Sequence, residues 1–144
     1  MSSYRLCRRE TQEAFNVFER IHDMVQRLLH LLERLQVPSP SSVYWESIDE
    51  VTMEWDRHAV QISVCWDYDA ERLLLQCHHA QQPVLHTELE VADGQGEKDF
   101  LEALWNYNQE PPRGPFAEWH LEQAELVAIL NEECVGAQQT GEES

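Results

Sequence analysis

Three stretches decide the fold: Val51-Thr52-Met53-Glu54-Trp55, Val60-Gln61-Ile62-Ser63-Val64-Cys65-Trp66 and Leu73-Leu74-Leu75-Gln76-Cys77-His78. In each, large apolar residues alternate with mostly polar ones, the period of a strand with one buried face. Polar breaks at Asp56–Ala59 and Asp67–Ala70 separate them at hairpin spacing. Closing the first break sets Trp55 opposite Val60, Met53 opposite Ile62 and Val51 opposite Val64. Closing the second sets Val64 opposite Leu73, Ile62 opposite Leu75 and Val60 opposite Cys77. Both turns put the apolar rows on one face, and a one-residue slip in either would expose half of them. A longer turn over Ala80–Val84 adds Leu85, Thr87, Leu89 and Val91 as a fourth strand.

Outward from the strands, the period changes to that of a helix. Ala14, Val17, Phe18, Ile21, Met24, Val25, Leu28, Leu31, Leu32 and Leu35 recur at three- and four-residue steps, which predicts a helix over 11–36. Thr11 is its N-cap unless Ser2 or Ser3 starts it earlier, with Tyr4 and Cys7 extending the stripe. Arg20, Arg27, Arg34, Glu13 and Glu19 fall on the opposite side. The same spacing fits a dimeric coiled coil. Val37-Pro38-Ser39-Pro40 stops the helix, because each proline removes a donor and extends its predecessor. Beyond the turn Asp93-Gly94-Gln95-Gly96, short helices are predicted over 97–108 and 116–133, separated by Glu110-Pro111-Pro112-Arg113-Gly114-Pro115. The expectation is one α+β domain over 1–135. A long N-terminal helix packs on a four-stranded antiparallel meander (47–91), two helices follow, and residues 136–144 form a flexible acidic tail.

The charge is uneven. From Val37 onward there are 22 acidic residues against four basic ones (Arg57, Arg72, Lys98 and Arg113), whereas the first 36 residues carry six arginines against five acids. The formal net charge of −17 far exceeds the magnitude of roughly 2–8 that keeps a small domain soluble. Such a field repels nucleic acid and anionic membranes and attracts cationic protein surfaces. With 42% hydrophobic residues the chain still has enough apolar material for a core. No apolar run reaches a membrane span, Met1–Glu10 has no apolar signal core, and the four cysteines show no pairing or metal spacing. These features predict a soluble cytoplasmic protein with reduced thiols.

On the open face of the meander the acids become specific. Glu50, Thr52 and Glu54 line up with Cys65, Ser63 and Gln61, then come Arg72, Leu74, Gln76 and His78, then His86, Glu88 and Glu90. With Asp56, Asp67, Asp69 and Glu71 at the turns, the carboxylates form a row that imitates phosphates along a nucleic-acid strand. The plain alternative is a solvated sheet face, or adaptation to salt. His78 and His86 are expected to face each other, but two ligands do not make a zinc site, so no metal is assigned. There is no GxSxG, HExxH or glycine-rich phosphate loop, and no cofactor or catalytic residue is assigned. Trp55 and Trp66 belong to the apolar rows. Trp45 has no obvious row, and with neighbouring acids it fits either a hot spot for an arginine-rich partner or a seal on the helix–sheet edge. Gln109–Trp119 either presents a loop or turns a corner between helices.

These readings converge on an acidic binding protein, not an enzyme, that blocks a basic protein surface through Glu50, Glu54, Asp56, Asp67, Asp69, Glu88 and Glu90. The surface belongs to a nucleic-acid-binding complex or a toxin. In size and charge the chain is similar to anti-CRISPR and anti-restriction inhibitors, and to immunity proteins, by analogy of general character alone. The alternative is an assembly subunit that forms a homodimer through its N-terminal helix.

Overall fold

The computed structural model describes residues 2–89, 94–110 and 114–136, with side chains described from Glu13 to Leu89 and in 94–110 and 114–134. Helix α1 runs Ser2–Arg34, about 50 Å at 1.5 Å per residue, and starts nine residues before the predicted cap. Its predicted stripe is the buried one: Val17, Ile21, Met24, Val25, Leu28, Leu31, Leu32 and Leu35 all enter the core. Phe18 does not. The helix ends before the prolines. Gln36 adopts a left-handed φ of 64°, its N–H bonds to Glu33 O at 3.0 Å, and the Val37 N–H reaches Leu32 O at 3.0 Å. This paired 6→1 and 5→2 closure is a Schellman motif, and buried Val37 supplies its apolar contact.

The sheet is antiparallel with five strands in sequential order: β1 Ser42–Ser47, β2 Glu50–Trp55, β3 Val60–Asp67, β4 Arg72–His79 and β5 Gln82–Leu89. The four-strand expectation is therefore corrected. Strand β1 hid because almost all of it is exposed, so it carries no buried alternation to read. The first hairpin has the predicted register, with Trp55 opposite Val60 and Val51 opposite Val64. The second turns one residue later, over Tyr68–Glu71, which moves the partners by two: Val64 faces Leu75 and Ile62 faces Cys77. A shift of two keeps every side chain on its face, so the core rows survive. Asp67 fixes this turn by accepting the N–H groups of Asp69 (3.0 Å) and Ala70 (3.3 Å) through Oδ1. The third connection is a two-residue turn, Ala80-Gln81, with φ of 53° and 67°, the geometry of a type I′ hairpin. A bulge between Cys77 and His78 then restores the faces, leaving Cys77 opposite Leu85 and Leu73 opposite Leu89.

Helix α2 (Gln95–Gln109) packs on β5, and α1 packs on β2 and β3. Gly94 precedes α2 at φ 84°, and a Cβ there would lie 2.6 Å from Cys134 O, so both conformation and space require glycine. Residues 116–122 are irregular, not helical, and α3 is shorter than predicted (Gln123–Leu130), continuing into a π-helical stretch, Asn131–Gly136. Asn108 explains the irregular segment. Its amide donates to Phe116 O (3.1 Å) and accepts the Phe116 N–H (2.7 Å), giving that backbone partners a helix would otherwise supply. The Trp119 indole donates to Leu35 O (2.8 Å) and the Trp105 indole to Leu121 O (3.0 Å).

Bases on α1 hold the C-terminal stretch. Arg27 Nε donates to Glu97 at 2.8 Å and its guanidinium reaches Glu133 O at 3.3 Å. Arg34 pairs with Glu132 and Glu133, and His30 with Glu133. The side of α1 expected to face solvent is thus partly an interface. One apolar core cluster joins α1, the sheet, α2 and the segment to Cys134.

Candidate partner-binding face

The face of the sheet away from α1 and α2 carries Ser42, Tyr44 and Glu46 of β1, then Glu50, Thr52 and Glu54 of β2, opposite Cys65, Ser63 and Gln61 of β3. Strands β4 and β5 continue it with Arg72, Leu74, Gln76 and His78, then His86 and Glu88. Thr52 and Ser63 are buried beneath their longer neighbours, with hydroxyls 3.4 Å apart.

The predicted carboxylates do not form one row. Glu50 and Asp67 lie at the end of the sheet that carries the β1–β2 and β3–β4 turns, where Glu46 and Asp49 join them. Glu50, Asp49 and Asp67 act on Cys65, Asp49 reaches Tyr68, and Glu46 adjoins Glu50. Burial first, then the charges of Glu50, Asp49 and Asp67, push the Cys65 thiol up to about 11. Burial, then Glu46 and Asp49, holds the Glu50 carboxyl above its ordinary range, with His78 opposing the shift. None of the four carboxylates has a salt-bridge partner among the described residues. Glu54 and Asp56 sit at the other end of β2. Glu54 accepts the Gln61 amide at 2.6 Å, and exposed Asp56 receives no side-chain donor among the described residues, its own N–H bonding to Ser41 Oγ. Glu88 is neutralised by Arg72 at 3.0 Å. Asp69 is exposed at a turn tip, and Glu90 and Val91 lie outside the described residues, as do 137–144.

Glu46 and Asp49 escaped the sequence reading because β1 did. Exposed acids also occupy α1 and the C-terminal helices, among them Glu13, Asp23, Glu33, Asp99, Glu125 and Glu132. The negative field therefore extends beyond the sheet. What sets the Glu46–Asp67 end apart is crowding.

Tyr44 reports on this environment. Loss of water around the phenol, then the hydrogen bonds and charges of Glu54 and Glu46, raise it to about 12. The unfolded phenol ionises near 10, so the folded state holds the proton longer. This contribution to stability is intact below pH 10 and is lost as pH climbs through 12. Spectrophotometric titration is expected to show a late tyrosinate step near pH 12 that Tyr44→Phe removes. A normal midpoint for every tyrosine would contradict this placement.

The histidines do not pair as expected. Because of the tight Ala80-Gln81 turn, His86 stands opposite Gln76 (Nδ1 to the amide, 3.4 Å) and His78 opposite Pro83. His58 and His79 instead serve packing. His58 contacts Glu118 at 2.7 Å and lies on Phe116, and His79 Nδ1 meets the Tyr107 hydroxyl at 2.6 Å. Among the described residues no group of three or more His, Cys, Asp or Glu side chains is placed to hold a metal ion. Glu54, Asp56, Gln61 and His78 line an open hollow of about 160 Å³, small beside the several hundred Å³ of typical ligand pockets. Among the described residues no helix is long and apolar enough to cross a membrane. The chain matches no family model, no curated protein and no solved structure.

Proposed function

We propose that this protein acts by binding, not turnover, and presents the acidic end of its open sheet face to a basic protein surface. The convergence of Glu46, Asp49, Glu50 and Asp67, with no salt bridge to any of them among the described residues, carries this reading. Crowded carboxylates cost stability, and a cationic surface relieves that cost on contact. A surface that normally grips phosphates fits best, so the outcome is occlusion of a nucleic-acid site. Steering by the overall charge gives fast, salt-sensitive association. Free thiols at Cys65, Cys77 and Cys134 support a reducing compartment such as the cytoplasm.

Capture of partners from host extract at low salt, followed by binding measurements on the purified partner, tests the proposal. Affinity is expected to fall steeply as salt rises, and Glu50→Lys with Asp67→Lys is expected to abolish it. Because a cation draws the raised Glu50 carboxyl back towards its ordinary range, binding in mildly acidic buffer is expected to release protons. Affinity independent of salt and of both reversals would refute the reading.

A further inference from the structure

The edge of the sheet offers a more specific site. Strand β1 ends the strand order on one side, and no strand pairs with its outer edge among the described residues. An unpaired edge is a template for strand addition, and proteins commonly guard it with lysine, proline, bulges or a covering element. The opposite edge, β5, contains Pro83 and is packed by α2. Ser42–Trp45 has neither lysine nor proline, and its register slips only beyond Trp45.

The two sides of this edge differ. Val43 and Trp45 lie on the helix side, where Trp45 stacks on Phe18 with ring centroids 4.4 Å apart. Trp45 and Phe18 are each 38% exposed, Val43 43% and Phe15, one turn away, 54%. On the other side stand Tyr44, Glu46 and Glu54. A strand laid beside β1 sends alternate side chains to each side, onto an aromatic shelf and towards carboxylates.

We infer that β1 is an acceptor edge for an extended segment of a partner protein in which apolar and basic residues alternate. This rests on the cationic-partner reading above and adds where and in what conformation the partner binds. Charge complementarity favours that occupant over a second copy, since an antiparallel β1–β1 pair centred on Tyr44 sets Glu46 opposite Ser42, on the side where Glu54 of the other copy lies, and adds like charge to like charge. Main-chain hydrogen bonds give affinity in such additions, and alternating side chains give specificity.

The test uses dye-labelled peptides and fluorescence anisotropy with the full chain. One peptide alternates arginine and valine, a second has the same residues in two blocks, and a third is the alternating peptide with every second amide N-methylated. The alternating peptide is expected to bind at least about tenfold tighter than the other two. Trp45→Ala and Phe18→Ala, both at half-exposed positions and expected to keep the parent's circular dichroism spectrum, are expected to weaken it by a similar factor. Equal binding of all three peptides would overturn strand addition while leaving the cationic reading in place. No binding by any of them at low salt would overturn both. Sedimentation as a dimer that Trp45→Lys dissociates would assign the edge to a second copy and refute the inference.

Discussion

Replacing Phe116 with alanine is expected to lower stability by about 3–5 kcal/mol, a large share of the 5–15 kcal/mol typical of a domain. The ring is fully buried and sits edge-on to both Trp55 (5.6 Å) and Trp119 (6.1 Å), with the His58 ring 5.0 Å away. Trp55 is itself enclosed and donates its indole N–H to Pro38 O at 2.6 Å. The void left by the ring is therefore walled by residues already committed elsewhere, and collapse into it is costly. Urea unfolding followed by tryptophan fluorescence measures the loss. Phe15→Ala, on the exposed part of α1, is the control and is expected to stay within about 0.5 kcal/mol of the parent. A loss below about 1 kcal/mol at Phe116 would mean that residues 114–122 re-pack freely.

Arg27→Met is the second large effect, expected to cost about 3 kcal/mol. Glu97 is 2% exposed and Arg27 35%, so removing the arginine strands a buried carboxylate, whereas the arginine itself still meets water. Glu97 Oε1 has no hydrogen-bond partner among the described residues, so Arg27 is the group that compensates this acid. The reverse influence is visible too. Burial works against the charge on Arg27, yet the hydrogen bond and charge of Glu97 leave its pKa raised. Breaking a buried pair from one side is worse than removing both. The double variant Arg27→Met/Glu97→Gln is therefore expected to recover most of the loss, and a double-mutant cycle reads the coupling. Simple additivity would show that the pair contributes packing alone.

Where the sequence was readable, burial wrote the pattern. The α1 stripe and the rows of β2, β3 and β4 are apolar because they face each other, and the faces survived even where the turns moved. Exposed structure left no such mark. Strand β1 is paired by backbone atoms while its side chains remain in water, so hydropathy did not distinguish it from a linker. The Ala80-Gln81 turn uses two left-handed residues without the asparagine or glycine that usually announces one. That hid the register that separates His78 from His86. Residues 116–122 read as helix because Phe116, Trp119 and Leu121 are apolar, and the competing hydrogen bonds of Asn108 act from eight positions away. Of the predicted site residues, Glu50 and Asp67 met at one end. Glu88 was claimed by Arg72, and Glu54 with Asp56 gathered at the far end of β2.

The row of bases on α1 also bears on synthesis. Arg27 waits for a carbonyl 106 positions later, Arg34 for a carboxylate 99 later and Leu35 for an indole 84 later. Contacts this distant along the chain form slowly. On the ribosome α1 therefore emerges well before these partners: its apolar stripe can be covered once β2 and β3 are made, whereas Arg27, Arg34 and the Leu35 carbonyl stay open until residues 119–133 follow.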